Sequence, residues 1–324
     1  MFIWLLESKS KMSNREENIE SCDGKESSCC IDEEADYLYS PSRWPSHSRP
    51  IKTRSAVIED YCQRANEIGA ECLRQYGNSM SSIEYGSKIN EKIVIIHPEE
   101  RSRNMSLFAY IHGGYWQDGS YKSDGMVAAT PVLNAGHMYA AIGYNDDIQM
   151  ALTDITAQVV RAVNCLADFT SQHNIKSIIL SGHSAGAHLV AMTIISPELN
   201  VNARSLVKGV ALLGGVYDIT PLLNTSINIP GLGLTDVSVA EKLSPSHLLE
   251  SQAIVVENLA YNLVSYAAEE SPAFHTQSKD FAKLLERRSI PVSVYECPDR
   301  DHFNMITDIP AELAQLLVKL MEDC

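Results

Sequence analysis

The chain has 324 residues, of which 45% are hydrophobic and 21% charged, a balance typical of a globular protein and not of a disordered or fibrous one. It carries 41 acidic against 26 basic residues, and this formal net charge of −15 argues against a nucleic acid or an anionic membrane surface as the main partner. No apolar run approaches the roughly 18 residues that a membrane-spanning helix needs, so no membrane partner is expected.

The N-terminal segment, residues 1–36, predicts a disordered acidic tail. It is rich in Ser, Asn and Glu and has no apolar period, so it cannot bury enough surface to offset the entropy lost on ordering. Its opening run, Met1–Leu6, is too short for the core of a secretion signal. The 8 cysteines show no Cys-x-x-Cys spacing, as expected for reduced thiols. We therefore expect a cytoplasmic protein.

From about residue 85, short apolar runs alternate with amphipathic stretches. The runs predict buried strands at 93–97, 107–111, 138–142, 177–180, 209–213, 262–266 and 292–295. The stretches predict helices at 151–170, 186–196, 272–288 and 309–323. This alternation is typical of an α/β fold with a mostly parallel central sheet flanked by helices. Residues 217–250 interrupt it, and we interpret them as a small lid over the carboxyl ends of the strands, within one domain at 37–324.

The strongest local motif is Gly182-His-Ser-Ala-Gly186. Alone it is weak, but here it follows an apolar strand and precedes a helix of small residues, which is the context of a nucleophile elbow. In such a turn the glycines make room for a strained backbone that exposes the hydroxyl of Ser184 at a helix N-terminus. We expect Ser184 to be a nucleophile, and His183 and His188 to be packing or polar neighbours.

A serine nucleophile needs a base and an acid that orients the base. His302 is the candidate base, because it lies between the last predicted strand and the last predicted helix. The acid is expected after the preceding strand, where we favour Glu270, directly before Ser271-Pro272. Glu269 remains an alternative, and Asp301 is disfavoured because a residue adjacent to the base rarely reaches back to its Nδ1.

A second motif, His112-Gly-Gly-Tyr-Trp116, follows the strand at 107–111. Two glycines after a strand let backbone N–H groups turn towards a ligand, so Gly113 and Gly114 predict one half of an oxyanion hole and Ala185 the other. Tyr115 and Trp116 either line a substrate pocket, where an aromatic ring could stack, or only pack the loop. The sequence has no metal, nucleotide or flavin motif, and no cofactor is expected.

Several segments together resemble the arylformamidases, or kynurenine formamidases, of the α/β-hydrolase superfamily. The resemblance runs from about residue 37 to the C-terminus and rests on Tyr39-Ser-Pro-Ser-Arg-Trp44, Glu91–Pro98, His112–Gln117, Gly182–Leu189, Gly215–Ile219, Ser271-Pro-Ala-Phe274 and Asp301-His-Phe303. The His-Gly-Gly-x-Trp loop is shared with related esterases, whereas its combination with the first and the Ser-Pro motifs is more specific.

The resemblance implies a hydrolase that deformylates N-formyl-kynurenine to kynurenine and formate in tryptophan breakdown. Its triad would be Ser184, His302 and the acid before Ser-Pro, with Gly113, Gly114 and Ala185 as the oxyanion hole. The family usually has Asp where this chain has Glu270, and the extra methylene demands a shifted backbone. Ala273 also replaces an acidic residue that is usual in this motif.

Two other functions fit the same residues. A carboxylesterase acting on short acyl esters would use the same site, and an inactive hydrolase-fold binding protein would tolerate a substituted acid. The expected partner is a small aromatic formamide, and the oligomeric state is left open, with a homodimer as one candidate.

Overall fold

A central β-sheet organises the computed structural model, which describes residues 31–51, 53–145, 150–228, 232–251 and 259–324. In chain order its strands are β1 (Met80–Glu84), β2 (Lys92–Ile96), β3 (Leu107–Ile111), β4 (Met138–Ile142), β5 (Ile178–His183), β6 (Val207–Leu213), β7 (Tyr261–Ala267) and β8 (Ser293–Cys297). Each predicted strand overlaps one of β2–β8. The sequence did not predict β1, whose residues are mostly exposed at the edge of the sheet.

The described helices are α1 (Glu33–Leu38), α2 (Arg54–Tyr76), α3 (Ala129–Asn134), α4 (Leu152–Gln172), α5 (Ala185–Ile195), α6 (Val201–Leu206), α7 (Val237–Lys242), α8 (Pro245–Glu250), α9 (Pro272–Arg287), α10 (Asn304–Thr307) and α11 (Ala311–Glu322). The four predicted helices correspond to α4, α5, α9 and α11. Within the described ranges, no helix is both long and apolar enough to cross a bilayer.

The strands are arranged in the order β1-β2-β4-β3-β5-β6-β7-β8. β2 runs antiparallel to both β1 and β4, and the other neighbouring pairs are parallel. The predicted α/β fold with a mostly parallel sheet is therefore confirmed. Because the parallel strands share one direction, the loops after β3, β5, β7 and β8 meet along one edge of the sheet, where ligands bind in such folds.

Both faces of the sheet are buried, as β3 shows. Leu107, Ala109 and Ile111 pack with α4, α5 and α9 on one face, whereas Phe108 and Tyr110 pack with α2, α3 and α11 on the other. A strand that is buried on both sides reads as a continuous apolar run, because its alternate side chains meet two different layers of helices.

The predicted tail divides into two parts. Residues 1–30 lie outside the described residues. The expected end of the tail at residue 36 is wrong, because α1 spans it. Asp32 caps this helix by accepting a hydrogen bond from the N–H of Ala35, and Asp36 accepts hydrogen bonds from the N–H and hydroxyl of Ser226. Asp36 thus ties this helix to the folded domain.

The segment predicted as a lid, residues 217–250, is described except for residues 229–231. It contains α7 and α8, and α8 packs against α5 and α9. Leu222, in a short helical turn, is buried in the large core next to α5. The segment thus lies on the face of the sheet that carries α5, above the loop that follows β5.

Candidate active site

Ser184 lies in the sharp turn between β5 and α5. Its φ is +55° and its ψ −120°, a combination that non-glycine residues rarely adopt. The turn is tight: a Cβ atom on Gly182 would lie 2.4 Å from the carbonyl of Gly186, and one on Gly186 would lie 2.1 Å from the oxygen of Ile111. The backbone N–H of Ser184 donates to the carbonyl of Leu213 at the end of β6, at 2.8 Å. This is the strained geometry that a nucleophile elbow requires.

His302 and Glu270 are brought together from the loops after β8 and β7. Nδ1 of His302 lies 2.7 Å from Oε2 of Glu270, and both side chains are buried. The other carboxylate oxygen of Glu270 accepts a hydrogen bond of 3.2 Å from the N–H of Ala267. The glutamate side chain therefore contacts the end of its own strand, β7, with one carboxylate oxygen and the imidazole with the other.

The imidazole of His302 reaches the neighbourhood of Ser184. Its ring packs 4.5 Å from that of His183, which precedes the serine, and 4.8 Å from that of Phe274, which shares a cavity with the serine. Among the described residues, no hydrogen bond joins the hydroxyl of Ser184 to His302. Such contacts often tighten only when substrate is bound.

Burial governs the protonation of the pair. It raises the pKa of Glu270 and lowers that of His302, since a low-dielectric surrounding disfavours both charged forms. The neighbouring carboxylate of Asp301 opposes this effect on His302, but burial is the larger cause and the pKa of the imidazole stays below its usual value. A neutral imidazole is the form that can accept a proton from a serine hydroxyl.

The flanking histidines are both held by carbonyl groups. Nε2 of His183 donates to the carbonyl of His302 at 2.8 Å, and Nε2 of His188 donates to that of Leu243 at 2.8 Å. Burial lowers the pKa of His183 well below its usual range and that of His188 to about 4. Nδ1 of His188 accepts a hydrogen bond of 3.2 Å from the indole N–H of Trp116. Through these hydrogen bonds the two neutral rings hold the loop of His302, the segment at Leu243 and Trp116 next to the turn at Ser184.

The loop after β3 holds its backbone in an unusual conformation. Gly114, Tyr115 and Trp116 have φ values of +106°, +54° and +61°, and such a strained run persists only where its surroundings determine it. The N–H groups of Gln117 and Asp118 both donate to the carbonyl of Gly114, at 3.0 and 2.9 Å, and close the turn.

Gly113 places this loop against the serine, since a Cβ atom there would lie 3.1 Å from Cβ of Ser184. The carbonyl of Gly113 is held by the ring nitrogen Nδ1 of His112, at 2.9 Å. The hydroxyl of Tyr144 donates to the carbonyl of His112 at 3.1 Å, and the two rings stack 4.3 Å apart. Because the carbonyl groups of His112 and Gly113 are held by side chains, the loop is fixed, and the N–H groups of Gly113 and Gly114 are available as donors to a ligand. Ala185 adds a first-turn N–H of α5, which has no partner within the helix.

A small cavity opens beside Ser184. Its volume is about 10 Å³, room for one water molecule, and it is lined by Tyr39, Tyr115, Trp116, Ser184, Ala185, Val216, Leu222 and Phe274. The lining is aromatic and aliphatic apart from the hydroxyl groups. An aryl substrate therefore requires the side chains that cover the cavity to move, and Tyr39 and Leu222 come from the N-terminal segment and the predicted lid.

Glu269 and Asp301, the alternatives to Glu270 in the sequence analysis, have other partners. Glu269 accepts a hydrogen bond from the N–H of His47. Asp301 is fully buried and accepts hydrogen bonds from the N–H of Ser46 and from the guanidinium of Arg49, at 2.9 and 2.8 Å. Of the three acids, Glu270 is the one that the fold sets against the imidazole.

Three residues of the site had no role in the sequence analysis. Tyr39 and Phe274 belong to motifs that carried the family resemblance, so a signal existed for both. Tyr144 follows β4 and had no signal, because nothing in the sequence relates it to the loop at His112. No group of three or more potential metal ligands occurs within the described ranges.

Comparisons with known proteins identify the relatives of this chain. The BD-FAE family model matches residues 93–274. Kynurenine formamidase of Salmo salar is 33% identical over 293 residues, which cover 89% of this chain and 96% of that protein, and kynurenine formamidase of Danio rerio is 32% identical with the same coverage. Esterase B from Lactobacillus rhamnosis has a TM-score of 0.61 at 16% identity, covering 82% of this chain and 95% of that one, a likeness of fold alone.

The family model spans more than half of the chain, and the fish relatives match it along nearly their whole length. The matched region contains the turn at Ser184, the loop at His112 and Glu270, and the relatives extend over the rest of the domain. The chain therefore belongs to the kynurenine formamidase family, with the α/β-hydrolase fold.

Proposed function

We propose that the chain is an arylformamidase, a serine hydrolase that converts N-formyl-L-kynurenine to L-kynurenine and formate. The observation that carries this proposal is the buried pair of His302 and Glu270, whose Nδ1 and Oε2 lie 2.7 Å apart beside the strained turn of Ser184. It stands in a chain that is 33% identical to a kynurenine formamidase.

In the first half of the reaction, the hydroxyl of Ser184 attacks the formyl carbon while His302 takes its proton. The carbonyl oxygen becomes an oxyanion, stabilised by the N–H groups of Gly113, Gly114 and Ala185. His302 then gives its proton to the departing aryl amine, and the C–N bond breaks. Kynurenine leaves and a formyl ester remains on Ser184.

In the second half, water attacks the formyl ester with His302 again as the base. The tetrahedral intermediate collapses, Ser184 recovers its proton from His302, and formate leaves. Glu270 keeps the imidazole in the tautomer with a proton on Nδ1 and stabilises its charged form, as the acid of a triad does.

The aromatic cavity lining supports an aryl leaving group. Tyr115 and Trp116 both lie on the loop that carries the oxyanion donors and line the cavity beside Ser184. The half-buried ring of Tyr115 can stack on the aryl group, and the buried indole of Trp116 bounds the acyl side. A formyl group is the smallest acyl group, and a tight cavity beside the serine suits it. Residues 217–250 act as a lid whose Leu222, together with Tyr39, moves to admit the substrate.

Replacement of the nucleophile tests the reaction. Ser184→Ala is expected to abolish release of formate from N-formyl-L-kynurenine while the circular dichroism spectrum and unfolding midpoint stay close to those of the wild type. Ser278→Ala is the matched control and keeps its activity, because Ser278 is a buried serine of α9 whose hydroxyl has no hydrogen-bond partner among the described residues. More than a trace of activity in Ser184→Ala would exclude Ser184 as the nucleophile.

A carboxylesterase is the second candidate, and the likeness in fold to esterase B supports it. The same triad hydrolyses esters, so the two functions differ only in preference. The ratio of kcat/KM for N-formyl-L-kynurenine to that for p-nitrophenyl acetate decides between them. Covalent labelling of Ser184 by an organophosphate separates both enzymes from an inactive binding protein, which would not react.

We also propose that the enzyme acts in the cytoplasm. Its described cysteines support this, because none of them forms a disulfide, as is usual in a reducing compartment. A homodimer is the assembly to test, by sedimentation of the purified protein at several concentrations.

A further inference from the structure

The motif at Tyr39–Trp44 and the residues that follow it form a strap, residues 39–49, that crosses the active-site edge of the sheet. Its contacts fall on residues next to those that we propose for catalysis. The carbonyl of Tyr39 accepts a hydrogen bond of 3.1 Å from the hydroxyl of Tyr115, on the oxyanion loop. His47 binds Glu269, the residue before Glu270. The strap therefore contacts the oxyanion loop and the acid loop.

A third contact of the strap is with Asp301, the residue before His302. One carboxylate oxygen, Oδ1, accepts hydrogen bonds from the N–H groups of Phe303 and Asn304, at 3.0 and 2.9 Å, and so closes the turn that contains His302. The other, Oδ2, accepts from the N–H of Ser46 at 2.9 Å and from the guanidinium of Arg49 at 2.8 Å. Asp301 thus joins the histidine turn to the strap.

Arg49 fixes this carboxylate to the body of the domain. Its guanidinium bridges Asp301 and Asp60 of α2 and is largely buried, with 11% of its side chain exposed. A planar guanidinium can hold two carboxylates at fixed angles, which a lysine cannot do. Asp301 itself is completely buried, and a buried carboxylate that loses its cation must find a new partner or move.

His302 depends on such outside support. Among the residues that the structure describes, its side chain makes one hydrogen bond, through Nδ1 to Glu270, and its backbone carbonyl accepts one from His183. A shift of the turn at Asp301 would therefore displace the imidazole from both Ser184 and Glu270. Proton transfer is sensitive to such shifts, and a displacement of 1 Å far from the chemistry can cost about 10²-fold in rate.

We propose that Arg49 is a positioning residue for His302 and acts through Asp301, with the strap as the element that sets the base against the nucleophile. The inference rests on the proposed roles of Ser184 and His302. It predicts that loss of Arg49 impairs activation of the serine and leaves the aryl cavity and the binding of substrate nearly unchanged.

Arg64 offers a matched control, because it also pairs with Asp60 but does not contact Asp301. The variants R49Q, R49K and R64Q are compared with the wild type. Two measurements are made on each: kcat and KM for N-formyl-L-kynurenine, and the rate constant and final extent of Ser184 labelling by diisopropyl fluorophosphate. The final extent counts correctly folded sites, whereas the rate constant reports how reactive the serine is.

For R49Q we expect kcat and the labelling rate constant to fall by on the order of 10- to 10²-fold, with the final extent of labelling and KM nearly unchanged. R49K should recover part of both rates, and R64Q should match the wild type. A labelling rate constant in R49Q equal to that of the wild type, with only a lower unfolding midpoint, would show a merely structural role and overturn the proposal.

If R49Q does not fold, R49K decides: wild-type rates in R49K overturn the proposal, and reduced rates with full labelling support it. Failure of the proposed function has a different signature. In that case the wild type itself would not deformylate the substrate or would not be labelled at Ser184, whatever happens in the Arg49 variants.

Discussion

Oε2 of Glu270 lies 2.7 Å from Nδ1 of His302, although the corresponding acid in this family is usually one methylene shorter. The side chain takes up the extra length by folding back, so that Oε1 accepts a hydrogen bond of 3.2 Å from the N–H of Ala267. The end of β7 thus accommodates a glutamate where an aspartate would otherwise stand, and the geometry of the pair is retained.

This arrangement predicts different results for the two adjacent glutamates. E270Q should lower kcat by roughly 10³- to 10⁴-fold, because an amide favours the wrong tautomer of His302. E270D should also lower kcat, by at least about 10-fold, because the carboxylate withdraws by one methylene. E269Q has the same change in charge one residue earlier and should leave kcat nearly unchanged. Steady-state kinetics of the three variants checks this, and a larger loss in E269Q than in E270Q would transfer the role to Glu269.

The hydroxyl of Tyr144 predicts an effect on oxyanion stabilisation. Tyr144→Phe removes the hydrogen bond to the carbonyl of His112 and should lower kcat by about 10-fold, less than the 10²–10³ expected for loss of a direct oxyanion donor. Tyr139→Phe is the control, because its hydroxyl donates to the carbonyl of Gly125 away from the loop. Both variants should lose about 1 kcal/mol of stability. Equal kcat values in the two variants would contradict the assignment.

The position of Trp116 predicts which acyl groups the enzyme accepts. It is buried, lines the cavity beside Ser184 and is fixed by its hydrogen bond to His188. Trp116→Leu should enlarge the acyl side of the cavity and raise the kcat/KM ratio of butyrate to formate esters by about 10-fold or more. Phe108→Leu removes an aromatic ring on the other face of the sheet and should leave the ratio unchanged. An unchanged ratio in Trp116→Leu would place the acyl group elsewhere.

The burial of His188 predicts that the free energy of unfolding depends on pH. Burial lowers its pKa from 6.5 to about 4 in the folded chain, so the unfolded chain binds its proton more tightly. Its contribution to stability is therefore complete above pH 6.5 and is lost as the pH falls through about 4. The shift corresponds to roughly 3 kcal/mol. His188→Gln should flatten the fall in the free energy of unfolding between pH 6.5 and 4, as measured by urea denaturation.

His173 is the control for this measurement, since its side chain is exposed on the surface at the end of α4. His173→Gln should show the same slope as the wild type over this pH range. A slope in His188→Gln that equals that of the wild type would mean that the ring is not buried in its neutral form.

The layers of the fold and the order of the chemical groups along the chain follow from local patterns of residues. Strands buried on both faces, such as β3, leave continuous apolar runs, and the helices leave amphipathic stretches, so β2–β8 and four of the helices could be predicted. The edge strand β1 could not, because none of its residues is fully buried and its polar residues resemble a loop. The end of the tail was placed too late, because an acidic helix that is held by a distant serine has no local signature.

Within the site, the elbow at Ser184, the loop at Gly113 and the position of His302 were visible in short stretches, since each is a local backbone requirement. The choice between Glu270 and Glu269 was not, because adjacent residues in a loop point in different directions and only the packing of β7, β8 and the strap fixes which one faces the imidazole. The bridge from Arg49 to Asp301 spans 252 residues. Contacts of that kind form only when the whole domain folds and brings distant segments together, so no local pattern of residues predicts them.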